Sequence, residues 1–451
     1  MKRRNFLGKS SAATAAVLTG PVVSAAKEIL QYHHPGQVSA KAGEKEALSL
    51  EELETLKKQY ESDLFEDFLP FMDKYVIDRE YGGFMCHTDR DGAHITTDKN
   101  TWYEGRGIWV YSFLYNKLTP GPEYLEVAKK SVEFMLKHKP EGENLWPGGF
   151  SREGVVKAGP DARGYGDLFV ANGLAEYAQA SGEKRYWEMA KDIMFKIIRL
   201  YDRSDYQSDA ARTYLIPGAT FPPGARVLGV WMVLLNLATH MLDFIPDPEI
   251  KAVVDRCLEA IMKYHYNPDF DLTNEILNHD MSRPRNELAQ FVYTGHAIET
   301  LWMVMDEAAR RKDEELFDLS AARFRRHVDV AWDDVYGGAF RSLDHVDKNI
   351  WKTDKVLWLQ EEVLIGSLFV LEHTGAAWAK DMFYKMFDYV QEKFTLKQHG
   401  FPLWNYGSDR KATFERHSTR VENFHHPRHL MLNLLAINRM IKRKGKEKNH
   451  G

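Results

Sequence analysis

The sequence is poor in the features that mark several large classes of protein. It has two cysteines in 451 residues, too few for a disulfide framework. Cys86 and Cys257 could pair in an oxidising compartment, but nothing in their flanks demands it, and two free buried thiols are expected. A net charge of -5 and a pI near 6.4 leave no basic field to hold a phosphate backbone, so nucleic acid is not an expected partner. After the leader no apolar run is long and uncharged enough to span a bilayer. There is no Gly-x-Gly-x-x-Gly or Walker loop for a nucleotide cofactor, and no Gly-x-Ser-x-Gly elbow for a serine nucleophile. Nor does a Pro/Gly/Ser-rich linker divide the chain after about residue 50, which argues for one large domain over residues 49–445.

What the sequence does have is a repeat. An apolar helical segment recurs every sixty-odd residues, each followed by a more charged one. The apolar members are Ile108–Tyr115, Leu168–Leu174, Val230–Leu237, Ala297–Met305, Val363–Val370 and Leu430–Ile437. They are apolar on nearly every face, which suits buried helices. Their partners, such as Tyr124–Met135 and Tyr186–Ile197, keep apolar residues at three- and four-residue spacing and read as one-sided outer helices. Between pairs lie glycine-aromatic turns: Tyr81-Gly-Gly-Phe84, Trp146-Pro-Gly-Gly-Phe150, Tyr336-Gly-Gly-Ala-Phe340 and His399-Gly-Phe-Pro-Leu-Trp404. Six inner helices ringed by six outer ones predict an all-α (α/α)6 toroid, with short hairpins at the rim turns.

Residues 1–26 follow a different logic. Lys2-Arg3-Arg4-Asn5-Phe6-Leu7, the small-residue apolar stretch Ala12–Leu18 and Val23-Ser24-Ala25-Ala26 occur in the order of a twin-arginine export signal with a small-residue cleavage site. Export to a periplasm is the expectation, with residues 27–48 as a flexible tether.

In a toroid the inner helices start at one rim, so polar residues at those starts converge even when far apart in sequence. His296, Glu362 and His425 come from three such starts, and Arg106 from a fourth. An arginine there suits a developing oxyanion. Glu299, one turn beyond His296, is placed to orient that imidazole and raise its pKa. Trp358 and Glu362, four apart, suit the apolar face and the hydroxyls of a sugar. Metal binding is the main competing use of these residues, since His425 and His429 are four apart with His426 adjacent. No His-Glu-x-x-His pattern or acidic calcium loop accompanies them, so no metal or other cofactor is expected.

Five ordered motifs carry a resemblance that runs from about residue 55 to 440. They are Tyr81-Gly-Gly-Phe84 with Asp89-Arg-Asp-Gly92, Trp102-x3-Arg106-x2-Trp109, Gly295-His296-x2-Glu299-x2-Trp302, Trp358-x3-Glu362, and Phe424-His425-x-Pro427-Arg428. In these the chain resembles the N-acylglucosamine 2-epimerase family, which includes cellobiose 2-epimerases and mannose isomerases. The resemblance implies an (α/α)6 barrel and metal-independent chemistry on reducing sugars. It assigns paired acid/base roles to His296 and His425, with Arg106 and Glu299 beside them in the catalytic set. Trp358, Glu362, Trp302, Tyr103 and Arg428 are the implied substrate contacts. Leu357-Trp-Leu-Gln-Glu-Glu362 is closer to the cellobiose branch, and Ser418–Phe424 replaces the glycine-rich approach of the N-acylglucosamine branch. The expected activity is inversion at C2 of a reducing aldose, amino-sugar or disaccharide. An aldose-ketose isomerase, a non-catalytic carbohydrate-binding relative and a glycoside hydrolase using Glu299 with Glu362 remain open, as does a homodimer.

Overall fold

A computed structural model describes residues 47–161, 163–206 and 221–448. Residues 1–26, expected to be an export signal, and nearly all of the expected tether lie outside the described residues. Twelve long helices carry the fold: α1 (Leu50–Glu61), α2 (Thr101–Phe113), α3 (Pro122–Lys137), α4 (Tyr165–Ser181), α5 (Lys184–Tyr201), α6 (Leu228–Phe244), α7 (Pro248–Glu259), α8 (Thr294–Arg311), α9 (Glu314–Ala331), α10 (Leu357–Thr374), α11 (Ala377–Lys393) and α12 (His425–Lys448). The even-numbered helices form the inner ring and the odd-numbered ones the outer ring, so the (α/α)6 expectation holds.

The sequence pattern explains the division. In α2 every residue but Trp102 is buried, whereas α5 buries Tyr186, Trp187, Ala190, Ile193, Met194 and Ile197 along one stripe and keeps its charges outside except for Lys196, which pairs with the buried Asp167. One feature of the order differs from expectation. The last inner helix is not followed by an outer one: its outer partner is α1, from the other end of the chain, with Tyr60 of α1 against His429 and Asn433 of α12. α1 starts at a capping box in which Ser49 Oγ accepts from Glu52 N and Glu52 returns a bond to Ser49 N.

Short antiparallel strands sit at the rim and aim the inner helices. Lys99–Asn100 pairs with Gly149–Phe150 just ahead of α2, Arg226–Val227 with Ile276–Leu277 ahead of α6, and Lys355–Val356 with Gly407–Ser408 ahead of α10.

Two of the glycine turns prove to be one device used twice. Asp78 and Asp333 each precede a double-glycine turn, and each takes the ammonium of a lysine whose side chain is fully buried, Lys99 at 3.0 Å and Lys355 at 3.1 Å. Each lysine also donates to a carbonyl of its turn, that of Gly82 or Gly337. Arg152 and Arg410 close the two aspartates from outside. The Gly338 φ of +73° and the Tyr389 ring beside it exclude a side chain there. Since Lys99 and Lys355 lie two residues before α2 and α10, the device ties each turn to the start of an inner helix.

Cys86 and Cys257 are both free and buried. Among the described residues no helix is long and apolar enough to cross a membrane.

Candidate active site

The starts of α2, α8, α10 and α12 meet at one mouth, which brings together Arg106, His296, Trp358 and His425. Trp358 stands between the two histidines, its ring 6.2 Å from that of His296 and 5.3 Å from that of His425. Gly295 lets it approach, because a side chain at that position would run into the indole.

His425 is the first residue of α12. Its Nδ1 lies 2.9 Å from Glu362 Oε1, so the ring donates Nδ1–H to that carboxylate and presents the Nε2 lone pair to the mouth, where Arg106 Nη2 approaches at 3.3 Å. Burial pushes the His425 pKa down to about 4, with Arg106 and Arg428 acting in the same direction and Glu299 and Glu422 opposing. The imidazole is therefore neutral at pH 7, as a base must be. Glu362 is itself held by the Trp302 indole N–H at 2.6 Å and by Arg428.

Arg106 lies over the rings of Phe169 (4.3 Å), Phe424 (4.7 Å) and Trp102 (4.8 Å), a stacked arrangement that a guanidinium tolerates better than an ammonium. Burial brings its pKa down to about 10, so its charge persists. Glu422 joins the two groups: it pairs with Arg106 at 3.3 Å and accepts from the backbone N–H of Phe424 and His425, capping α12.

His296, in the first turn of α8, has 13 % of its side chain exposed, and its Nδ1 lies 2.9 Å from Glu275 Oε1. Here the structure corrects the sequence reading. Glu299 does not orient His296; it faces the other way, pairing with Arg428 at 2.6 Å and approaching His425 Nδ1 at 4.0 Å. Glu275, fully buried just ahead of Ile276–Leu277, does that work. Its segment, Leu272-Thr-Asn-Glu-Ile-Leu277, is half polar and offered no pattern that singles the carboxylate out. Glu422 was a second omission.

Three of the expected sugar contacts, Glu362, Trp302 and Arg428, lie beneath the mouth and not in it. Trp302 is 4 % exposed with its N–H committed to Glu362, and Arg428 is 2 % exposed between Glu299 and Glu362. Both support the site from beneath. Tyr103 is at the mouth, but its hydroxyl accepts from Arg420 at 3.0 Å, part of a strap over residues 417–423 that Asp89 ties down through Ser418 N and His417. That is the structural use of the Asp89-Arg-Asp-Gly92 motif.

The histidines of α12 do not share one centre: His426 and His429 meet at Glu361, close enough to share a cation, and His425 stands apart from them. His425 faces Glu362, while His426 turns back to Glu361 at 2.5 Å and His429 approaches that same carboxylate at 3.6 Å. Glu299, Glu362 and His425 lie close enough to share a cation, and the Arg428 guanidinium already sits among them. Both carboxylates lie behind His425, at most 3 % exposed and both paired with that one arginine. They are poorly placed to flank a glycosidic bond.

Comparison with known proteins agrees with this geometry. Residues 82–428 match the family described as N-acylglucosamine 2-epimerase (GlcNAc 2-epimerase). The chain belongs to the N-acylglucosamine 2-epimerase family. It is thereby a sugar 2-epimerase, an isomerase. It is 26 % identical over 388 residues to the N-acylglucosamine 2-epimerase of Bos taurus, covering 81 % of this chain and 87 % of that one. It is 24 % identical over 336 residues to the cellobiose 2-epimerase of Dictyoglomus turgidum, covering 70 % and 82 %. Among solved structures, a sugar epimerase from a ruminal bacterium aligns with a TM-score of 0.72 at 19 % identity, covering 85 % of this chain and 99 % of that one.

Proposed function

We propose that this epimerase inverts C2 of a reducing aldose, amino-sugar or disaccharide, using His425 and His296 on opposite faces of the open-chain sugar and no metal. The observation that carries the reading is the pair of imidazoles flanking Trp358, each with Nδ1 bound to a buried carboxylate and Nε2 turned away from it, that of His425 toward Arg106 Nη2. Neutral His425 takes the C2 proton, and the electron pair of the broken C–H bond moves through C1 onto the carbonyl oxygen. Arg106 is placed to hold that oxyanion, and the N-terminal ends of four inner helices add partial positive charge at the same mouth. His296 returns a proton to C2 on the other face, with Glu275 supplying the counter-charge that an imidazolium requires. The Arg428 guanidinium already sits between the two carboxylates beneath His425, which supports chemistry without a metal ion.

The sugar is read from two features. Leu357–Glu362 is closer to the cellobiose branch, and Arg420 and Glu422 occupy the approach that is glycine-rich in the N-acylglucosamine branch. Residues 1–26 we read as a twin-arginine signal delivering the enzyme to a periplasm, where it meets sugars released from glycans; fractionation of cells making the full-length chain tests this.

The decisive experiment incubates residues 27–451 in D2O with glucose, mannose, N-acetylglucosamine, N-acetylmannosamine, cellobiose and mannobiose, following the C1 and C2 protons by NMR. Deuterium at C2 together with the C2 epimer is the expected result. A ketose product would replace epimerisation with aldose-ketose isomerisation. His425→Ala and His296→Ala should each lower kcat by roughly 10²–10⁴-fold, and full activity in either variant would remove that histidine from the mechanism.

A further inference from the structure

The inner helices all run in one direction, so their C-terminal ends meet at the rim opposite the histidines. There they enclose a cavity of about 350 Å³. Trp109, Phe113, Phe244 and Phe369 give it aromatic walls, and Glu176 of α4, Asp243 of α6 and Asp306 of α8 line it with carboxyl groups. Its floor includes Trp302 and Arg428, the pair that supports Glu362 from beneath.

The charge in this chamber is unbalanced. Asp243 and Asp306 take no hydrogen bond and no ion pair among the described residues. The nearby arginines are engaged: Arg439 holds Glu372 through two contacts, and Arg428 holds Glu299 and Glu362. Arg310 acts on both Asp243 and Asp306 but holds Glu307 through two contacts, and Lys117 faces Glu176 and Asp243. Helix C-termini each add roughly half a negative charge, so the backbone deepens the field that the side chains set. The strain shows in titration. Burial, with Asp243 and Glu307 alongside, pushes Asp306 up to about 7, and Glu176 and Asp243 are raised as well, by burial first. A second feature points to a ligand with hydroxyls. Trp109, 1 % exposed, lines the cavity, and its indole N–H has no partner; a buried donor left unpaired is costly.

We propose that this chamber is a second binding site, separate from the mouth, for a hydroxylated organic ammonium ion of amino-polyol size. The ammonium pairs with Asp306 and Asp243 against aromatic faces, which favour an organic cation, and a hydroxyl accepts from Trp109.

The test uses 1-amino-1-deoxyglucitol and its neutral counterpart glucitol, neither of which has a carbonyl to epimerise, with binding followed by calorimetry on residues 27–451. The amine should bind while glucitol binds at least tenfold more weakly, and Asp306→Asn, nearly isosteric, should weaken the amine by about tenfold or more. Arg106→Ala, which alters the mouth, should leave amine binding within about twofold; circular dichroism confirms that both variants fold. Equal binding of the two polyols, unchanged binding by the Asp306→Asn variant, loss of binding on Arg106→Ala, or no heat from either compound at millimolar concentration would each overturn the proposal. Because no turnover is read, failure here leaves the reading of the mouth untouched.

Discussion

The two histidines do the same kind of work in different settings, and the difference lies in what each ring touches. His425 is walled in by Trp358, Phe424 and two guanidinium groups, and burial holds its pKa near 4. A base depressed below the usual 6.5 stays neutral as pH falls and is lost only when its own pKa is crossed. The acid limb of kcat/KM should therefore lie near pH 4, with activity held between pH 5.5 and 7; a limb near 6.5 in the pH profile would contradict the depressed value. Glu275→Gln, which keeps the size but removes the charge that faces His296, should lower kcat, whereas a residue that only packed the site would leave turnover unchanged. His296, His425 and Trp358 were legible in the sequence because each lies in the first turn of an inner helix, and Arg106 because it lies in the second turn of another; in a toroid those starts must converge. Glu275 was not, because it reaches His296 from a rim segment 21 residues away that no helical periodicity links to α8. Glu299 misled for a related reason: helical spacing gives the face a residue lies on but not the stronger partner, here Arg428, that waits in a neighbouring helix.

At the scale of elements, the apolar helices were readable because burial on all sides leaves a run with few charges. The glycine turns read only as turns. Their use, tying a buried lysine to a buried aspartate ahead of α2 and α10, depends on residues about twenty positions apart that meet only in the folded state. Removing one partner of such a pair strands the other charge without solvent. Asp333→Ala should accordingly destabilise the protein by about 3–5 kcal/mol, while the double change Asp333→Leu with Lys355→Met should recover much of that loss. Urea unfolding followed by tryptophan fluorescence measures both, and equal stability of the single and double variants would mean that the pair's charges are not what matters.

For the whole molecule, the repeat disclosed six helix pairs but not where the count begins. Inner and outer members alternate regularly, and an alternating series reads equally well from either member; only the pairing of α1 with α12 shows that the outer ring comes first. Ending the chain after Glu422 removes α12, leaving Leu53, Leu56 and Tyr60 of α1 uncovered along with one side of α10. That fragment should bind the dye ANS strongly and sediment as aggregate, and a soluble monomer that ignores the dye would contradict the closure described above. Translation delivers the ring in an awkward order. Among the described helices, the first to leave the ribosome waits for the last, carrying an unsheathed apolar stripe while nearly everything else is made. His425 sits on the helix that relieves this wait, so the nascent chain gains its second proton-transfer group in the same event that seals its surface. A half-made barrel is both sticky and inert, and it stops being either at one moment.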